Sequence, residues 1–230
     1  MADRLKLDRI AFYGRTLAEY TRMYALDLAA LRGQRVLDCP GGASSFTAEA
    51  LSLGIRAAAC DILYGGDMAA VLAQGQADIE HTVDGVAQVA HMFHWDFYGT
   101  PNGLKTQRTA ALHGFAAHYP GGGRYINARL PRLPFADQTF ALVLSGHLLF
   151  TYGDRLDYDF HLKALRELYR VTAGEVRVYP LQGLDARPYP HLSRLLDDLR
   201  AQRIHAEIRP VPFEFQRGSS QILCLSRSAD

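Results

Sequence analysis

Apolar residues in this chain fall into short runs whose internal spacing alternates between strand-like and helix-like. Within residues 3–32, Leu17, Tyr20, Tyr24, Leu28 and Leu31 recur at helical spacing, which predicts helix, with Gly14 dividing the region into two pieces. Residues 35–38 form a short buried strand. Residues 46–53 form a helix closed by Gly54, and 55–61 a second strand. Residues 67–118 read as mostly helical, and Gly121-Gly122-Gly123 ends that pattern. A third strand follows at 124–128, a loop at 133–137, and a wholly apolar fourth strand at 140–145 of the kind a parallel sheet buries on both faces. Residues 157–171 carry the stripe Phe160, Leu162, Leu165, Leu168 and Val171 of an amphipathic helix. A fifth strand at 175–179 and a helix at 191–202 come next. Two final strands at 206–215 and 221–226 are separated by a turn so short that they must run antiparallel. Strands and helices that alternate and close on a hairpin predict a doubly wound α/β sheet with one reversed strand.

Composition narrows this without changing it. The 230 residues suit one α/β domain, and a 48% hydrophobic content is ample for its core. A net charge of +1, with 21% charged residues, argues against a dedicated polyanion-binding surface. Cys39, Cys60 and Cys224 all fall in or beside predicted strands, which suits buried reduced thiols. No apolar run spans a bilayer, and the charged start Met1-Ala2-Asp3-Arg4 lacks a signal-peptide core, so a cytoplasmic location without membrane attachment is expected.

The chemistry concentrates in residues 34–46, Gln-Arg-Val-Leu-Asp-Cys-Pro-Gly-Gly-Ala-Ser-Ser-Phe. A strand ends in Asp38, passes a Pro-Gly-Gly turn and enters a helix, so a ligand could lie on bare backbone before unpaired N–H groups. The second strand ends in Asp61, where a carboxylate is placed to accept hydrogen bonds from a ribose diol. These features describe a site for a nucleoside-bearing cofactor. The turn Pro40-Gly41-Gly42-Ala43-Ser44 lacks the Gly-x-Gly-x-x-Gly of nicotinamide-binding folds.

Here the chain resembles the class I S-adenosylmethionine-dependent methyltransferases, from about residue 34 to the C-terminus. Residues 36–42 resemble the family's first motif, and Cys60-Asp61 its ribose-binding acid. Residues 133–147 are similar to the stretch around its fourth strand, and residues 165–171 with Gly174 to the helix and turn before its fifth. The terminal hairpin is the family's usual ending. The resemblance implies a Rossmann-like, seven-stranded, mostly parallel sheet with an N-terminal helical cap over 1–32 and a helical insertion or lid over 67–122. Two departures stand out: the family's usual glycines are replaced by Pro40 and Ser44, and no adenine-binding acid is evident near Asn127.

It further implies that Asp38 and the backbone of Pro40, Gly41 and Gly42 cradle the methionyl part of S-adenosylmethionine. Asp61 would hold the ribose, Ile62 would flank the adenine, Asn127 and Ala128 would meet the base edge, and Ser145 would border the site. Arg15 could pair with the methionine carboxylate or lie solvated on a surface helix. His147 is the candidate general base or else a structural histidine. Tyr13, Tyr20 and Tyr152 could wall the methyl-transfer chamber. The segment His91-Met92-Phe93-His94-Trp95-Asp96-Phe97-Tyr98 reads as an aromatic lid for a planar or cationic substrate, or as a packing surface. Its two histidines lack the companions a metal would need, so no metal is assigned. The base-amine motif, the Pro-Cys nucleophile, basic clusters and the paired acids of arginine methyltransferases are all missing from the sequence. The expected function is therefore methyl transfer to an O, N or S atom of a small molecule, without nucleic acid. The alternative is a non-catalytic S-adenosylmethionine sensor or scaffold. Oligomeric state is not written in any of these features.

Overall fold

Short runs of β-branched and aliphatic residues adopt strands, and in the computed structural model, which describes residues 4–119 and 123–227, seven of them form one sheet. The strands are β1 (Arg35–Asp38), β2 (Arg56–Asp61), β3 (Tyr125–Asn127), β4 (Phe140–Gly146), β5 (Thr172–Tyr179), β6 (His205–Pro210) and β7 (Gln221–Ser226). Their order is β3-β2-β1-β4-β5-β7-β6, parallel from β3 to β5 and antiparallel where β7 meets β5 and β6. The expected mostly parallel sheet with a reversed C-terminal hairpin is therefore present. Gly121 and Gly122 lie outside the described residues, as do Met1, Ala2 and Asp3.

The period-2 alternation of the strands divides the core. Val36, Leu142 and Leu144 point into one layer, covered by α2 (Phe46–Ser52), α3 (Met68–Gln88) and α4 (Pro101–His118). Leu37, Val143, Val176 and Val178 point into the other, under α5 (Tyr158–Val171) and α6 (Leu192–Ala201). Asp157 caps α5, its carboxylate accepting from the Phe160 N–H at 2.7 Å. Asp67 and Thr100 cap α3 and α4 in the same way. No helix among the described residues is long and apolar enough to cross a membrane.

Two expectations fail. The cap expected over 1–32 is not helical in its described part, residues 4–32: only α1 (Leu17–Met23) is α-helical there, and residues 4–16 form an extended strap across the sheet edge. The strap's polar groups are satisfied by distant partners rather than by a helix. Leu5 N–H donates to Leu184 O at 2.9 Å, Ala11 N–H to the Tyr152 hydroxyl at 3.1 Å and Phe12 N–H to Asp78 Oδ2 at 2.7 Å. Beyond α1, Ala25 at φ 49° ends the helix although the apolar spacing continues. The second failure is the strand expected over 206–215: β6 stops at Pro210, and the hairpin connection is a loop over 211–220. This loop is anchored to the segment after α3 through His94 N–H to Phe215 O at 2.7 Å and Arg217 N–H to Met92 O at 2.9 Å.

Candidate active site

The carboxyl ends of β1, β2 and β4 open on a cavity of about 590 Å³, where open α/β sheets hold ligands. Asp38, at the end of β1, is fully buried behind this edge. Its Oδ2 accepts the Tyr20 hydroxyl at 2.8 Å, while its Oδ1 has no partner among the described residues. Burial pushes the carboxyl up to about 8, and the bond from Tyr20 only partly opposes it. Asp61, at the end of β2, lines the cavity. It accepts from Gly42 N–H at 3.1 Å and Leu63 N–H at 3.0 Å; burial raises its pKa against those two bonds. Each of its oxygens keeps accepting capacity for a hydroxyl.

The turn after β1 does not present unpaired N–H groups as its sequence suggested. Gly41 N–H donates to Cys60 O at 2.9 Å, Gly42 N–H is held by Asp61, and Ser45 N–H donates to Arg15 O at 3.2 Å. β2 holds the Gly41 and Gly42 amides and the strap, which lies directly on the turn, holds only the Ser45 N–H. A Cβ at Gly14 would collide with the Ala43 carbonyl, and one at Gly42 would come within 2.7 Å of Tyr13 O. Gly42 also has φ 52°, which only glycine adopts freely.

Beyond the turn the cavity becomes apolar. The strap contributes Leu5, Leu7 and Tyr13, the post-α3 segment Phe93 and Tyr98, the hairpin loop Phe213 and Phe215, and β5 Tyr179. Phe93 packs tilted and Tyr98 edge-on against Phe215, with centroids 4.7 and 4.6 Å away. Behind them lies a fully buried ion pair. Arg108 on α4 reaches Glu19 on α1, and Tyr98 bridges the two, donating to Glu19 at 2.5 Å and accepting from Arg108 at 2.8 Å. Burial works against ionising Glu19, but Arg108, Arg15, Tyr98 and the Thr16 N–H together hold its pKa below the ordinary value. Arg108 lines the cavity and Glu19 does not, so the pair shows its positive end to the chamber. The Arg108 guanidinium also lies 4.8 Å from the Tyr13 ring centre, with Arg15 5.3 Å from the same ring.

His147 stands one residue past β4 at φ 52°, an unusual conformation for a non-glycine residue, and its N–H donates to Tyr179 O at 2.8 Å. Its Nδ1 is buried without a partner among the described residues. Burial, with the charges of Arg15 and Arg108 added, holds its pKa well below the usual value, so the ring is a neutral imidazole at physiological pH.

Of the residues singled out from sequence, Tyr13, Arg15, Pro40, Gly42 and Asp61 line this one cavity, as do Ile62, Ala128, His147 and Tyr152. Asp38, Gly41, Asn127 and Ser145 lie behind its wall. Asn127 is occupied in bonds to the Ile62 and Tyr64 carbonyls, and the Ser145 hydroxyl is buried without a partner among the described residues. Tyr20 stacks on Phe46 at 4.4 Å and belongs to the core. The Tyr152 hydroxyl accepts from the strap at Ala11. His91 sits in a 3-10 turn (Ala90–Met92) and His94 lies beyond it, so they do not share a helix face. Among the described residues no cluster of His, Cys, Asp or Glu could hold a metal ion.

Sequence reasoning missed Arg108, Glu19, Asp78, Phe213 and Phe215. Arg108 falls in a polar stretch of α4 with nothing in its spacing to mark it. Phe213 and Phe215 sat within an expected strand. Asp78 is buried in α3 beneath the strap, which Arg9 holds through its carboxylate at 2.5 Å.

No protein-family model matches the chain. It is 28% identical, over 225 residues covering 97% of this chain and 99% of the relative, to an uncharacterised protein of Methanocaldococcus jannaschii. Among solved structures it is similar to the 1,6-didemethyltoxoflavin N1-methyltransferase of Burkholderia thailandensis, with bound 1,6-didemethyltoxoflavin and S-adenosylhomocysteine. That likeness has a TM-score of 0.50 at 15% identity and covers 92% of this chain and 79% of the other. A TehB-like S-adenosylmethionine-dependent methyltransferase of Corynebacterium glutamicum matches with a TM-score of 0.47 at 13% identity, over 90% and 87% of the two chains. The fold is that of the class I S-adenosylmethionine-dependent methyltransferases.

Proposed function

We propose that this chain is an S-adenosylmethionine-dependent methyltransferase acting on a small molecule. The observation that carries the reading is a single cavity with two unlike ends. Asp61, the Pro40–Gly42 turn and the 59% exposed Ile62 lie at the strand-edge end, and an aromatic chamber at the other. In the Burkholderia enzyme that shares this fold, S-adenosylhomocysteine and a small molecule are bound together.

The residues fit the cofactor by their own chemistry. Asp61 has acceptor capacity for a ribose diol, and Ile62 offers an apolar face to a base. Ala128 lies beside them, at the end of the strand that pairs with β2. Among the described residues the Arg15 guanidinium has no carboxylate partner, which suits it to an amino-acid carboxylate. Bound S-adenosylmethionine supplies an activated methyl group; the chain's own part is to align the acceptor, exclude water and remove a proton. His147, neutral and with an open Nδ1, is the group suited to hold that proton.

The engagement of the turn's amides within the protein, by β2 and by the strap, favours one second reading, a protein that binds the cofactor without turnover. Calorimetric titration with S-adenosylmethionine and S-adenosylhomocysteine tests both. Micromolar binding of either, weakened at least about tenfold by Asp61→Ala, is the expected result; no binding to the native chain rejects both readings. Turnover of an identified acceptor would then exclude the second. In that assay His147→Ala is expected to lower kcat by about a hundredfold, and unchanged turnover would remove His147 from the mechanism.

A further inference from the structure

The geometry points to an acceptor of one chemical class: a flat, largely apolar aromatic molecule whose reacting group is a weakly acidic hydroxyl of the phenol type, with Arg108 as the residue that selects it over an amine. The inference rests on the methyltransferase reading and names the substrate class of the same site.

Three independent observations converge on it. The first is the wall. The chamber is bounded by the rings of Tyr13, Phe93, Tyr98, Tyr179, Phe213 and Phe215, which receive a planar hydrocarbon by stacking and edge contacts. The second is the sign of its charge. The acids near the chamber are already engaged: Asp78 by Arg9 and the Phe12 N–H, and Glu19 by Arg108, Tyr98 and the Thr16 N–H. Arg108 faces the cavity with its carboxylate partner behind it, and its Nε is buried with no hydrogen-bond partner. An ammonium brought here would meet the guanidinium before the Glu19 carboxylate that lies behind it, whereas an oxygen carrying negative charge would be stabilised. The third is His147, whose buried Nδ1 also lacks a partner. Arg108 and His147 both line the chamber, and each carries a buried nitrogen with no hydrogen-bond partner among the described residues. A cationic N–H and a neutral imidazole nitrogen together complement an oxygen that gives a proton to the imidazole and keeps the electron pair beside the guanidinium.

The proton step is simple. The acceptor's O–H bond breaks, the proton bonds to His147 Nδ1, and the electron pair stays on oxygen, where Arg108 lowers its energy. Glu19 acts through Arg108 as a positioning residue. It fixes the guanidinium from the far side, so the residue that selects the acceptor is held by the same helix that follows the strap.

The test uses the full chain saturated with S-adenosylhomocysteine and two probes of one shape, 2-naphthol and 2-naphthylmethylamine, which is cationic at neutral pH. The expected result is naphthol binding at least about tenfold tighter than the amine. In the paired variant Glu19→Gln/Arg108→Met, which leaves no unpaired buried charge, that preference should fall to about threefold or less with the affinity for S-adenosylhomocysteine unchanged. Equal or tighter binding of the amine to the native chain overturns the proposal, and so does failure of both probes to bind at millimolar concentration. A paired variant that keeps the full preference removes Arg108 as its source. One that loses S-adenosylhomocysteine instead assigns Arg108 to the cofactor carboxylate, which also overturns the inference. If the native chain binds no S-adenosylhomocysteine, the methyltransferase reading fails on its own, and the ratio of the two probes on the unliganded chain still decides the class of ligand. Should the paired variant not fold, the native ratio alone decides.

Discussion

Asp38 is a buried carboxyl with one hydrogen bond and one open oxygen, and it holds its proton up to about pH 8. Unfolded, it would release that proton near its ordinary value of 3.8. Between those two values the native state binds more protons than the unfolded state, so this residue makes the chain less stable as pH rises. Asp38→Asn keeps an oxygen for the Tyr20 hydroxyl and removes the titration. Urea midpoints measured from about pH 5 to about pH 8 are expected to fall more steeply for the native chain, by up to about 1.4 kcal/mol per pH unit; parallel slopes would show that Asp38 is ionised when folded. The methyl-transfer rate should respond differently. Under the proposed function His147 takes the acceptor's proton and must be neutral to do so, and burial with Arg15 and Arg108 holds its pKa well below the usual 6.5. The acid limb of kcat is therefore expected below that value, and a limb at or above 6.5 would mean that another group titrates. That Asp38 and Asp61 end strands, and that His147 follows one, was legible from the sequence. The direction in which each is shifted was not, because burial and the two arginines come from elements far away in the chain.

The strap is the element that pattern reading misjudged. Helical spacing over 3–32 was real in α1 but carried no weight over residues 4–16, where the backbone is satisfied by Leu184, Tyr152, Asp78 and Ser44. A tertiary partner for each polar group removes the advantage of a helix, and no local signal marks such partners. The strap's seat on the turn depends on Gly14, where a side chain would strike the Ala43 carbonyl. Gly14→Ala is expected to lower stability by about 1–3 kcal/mol in urea unfolding and to speed proteolysis within residues 4–16. A variant as stable and as resistant as the native chain would mean the strap does not sit on the turn. By contrast, α5 was read within one residue, since its stripe and its Asp157 cap are both local. Residues 211–215 of the hairpin loop were taken for strand because their apolar members, Val211, Phe213 and Phe215, alternate as a strand's do, yet they face the cavity and the core beneath it.

Across the whole molecule, one buried ion pair links the strap's helix to α4. Removing one partner leaves a charge stranded in the core, so Glu19→Ala is expected to cost about 3–5 kcal/mol, while Glu19→Gln/Arg108→Met should recover most of that loss. A double-mutant cycle in denaturant measures it, and additive losses would show that the two residues stabilise the fold separately. The order of strands and helices, the parallel sheet with its reversed end, and the acids at the ends of β1 and β2 were determined by the sequence alone. Periodicity and strand-end chemistry are local and survive without knowledge of the rest of the chain. Only the tertiary structure decided that β2 and the strap engage the turn's amides and that Phe213 and Phe215 wall a chamber. It alone also turned Arg108 to face that chamber with Glu19 behind it. The reason is physical: which charges are desolvated, and which polar atoms are left without partners, depends on contacts between residues far apart in the chain, 89 positions for Arg108 and Glu19 and 141 for Ala11 and Tyr152, and no local pattern encodes them.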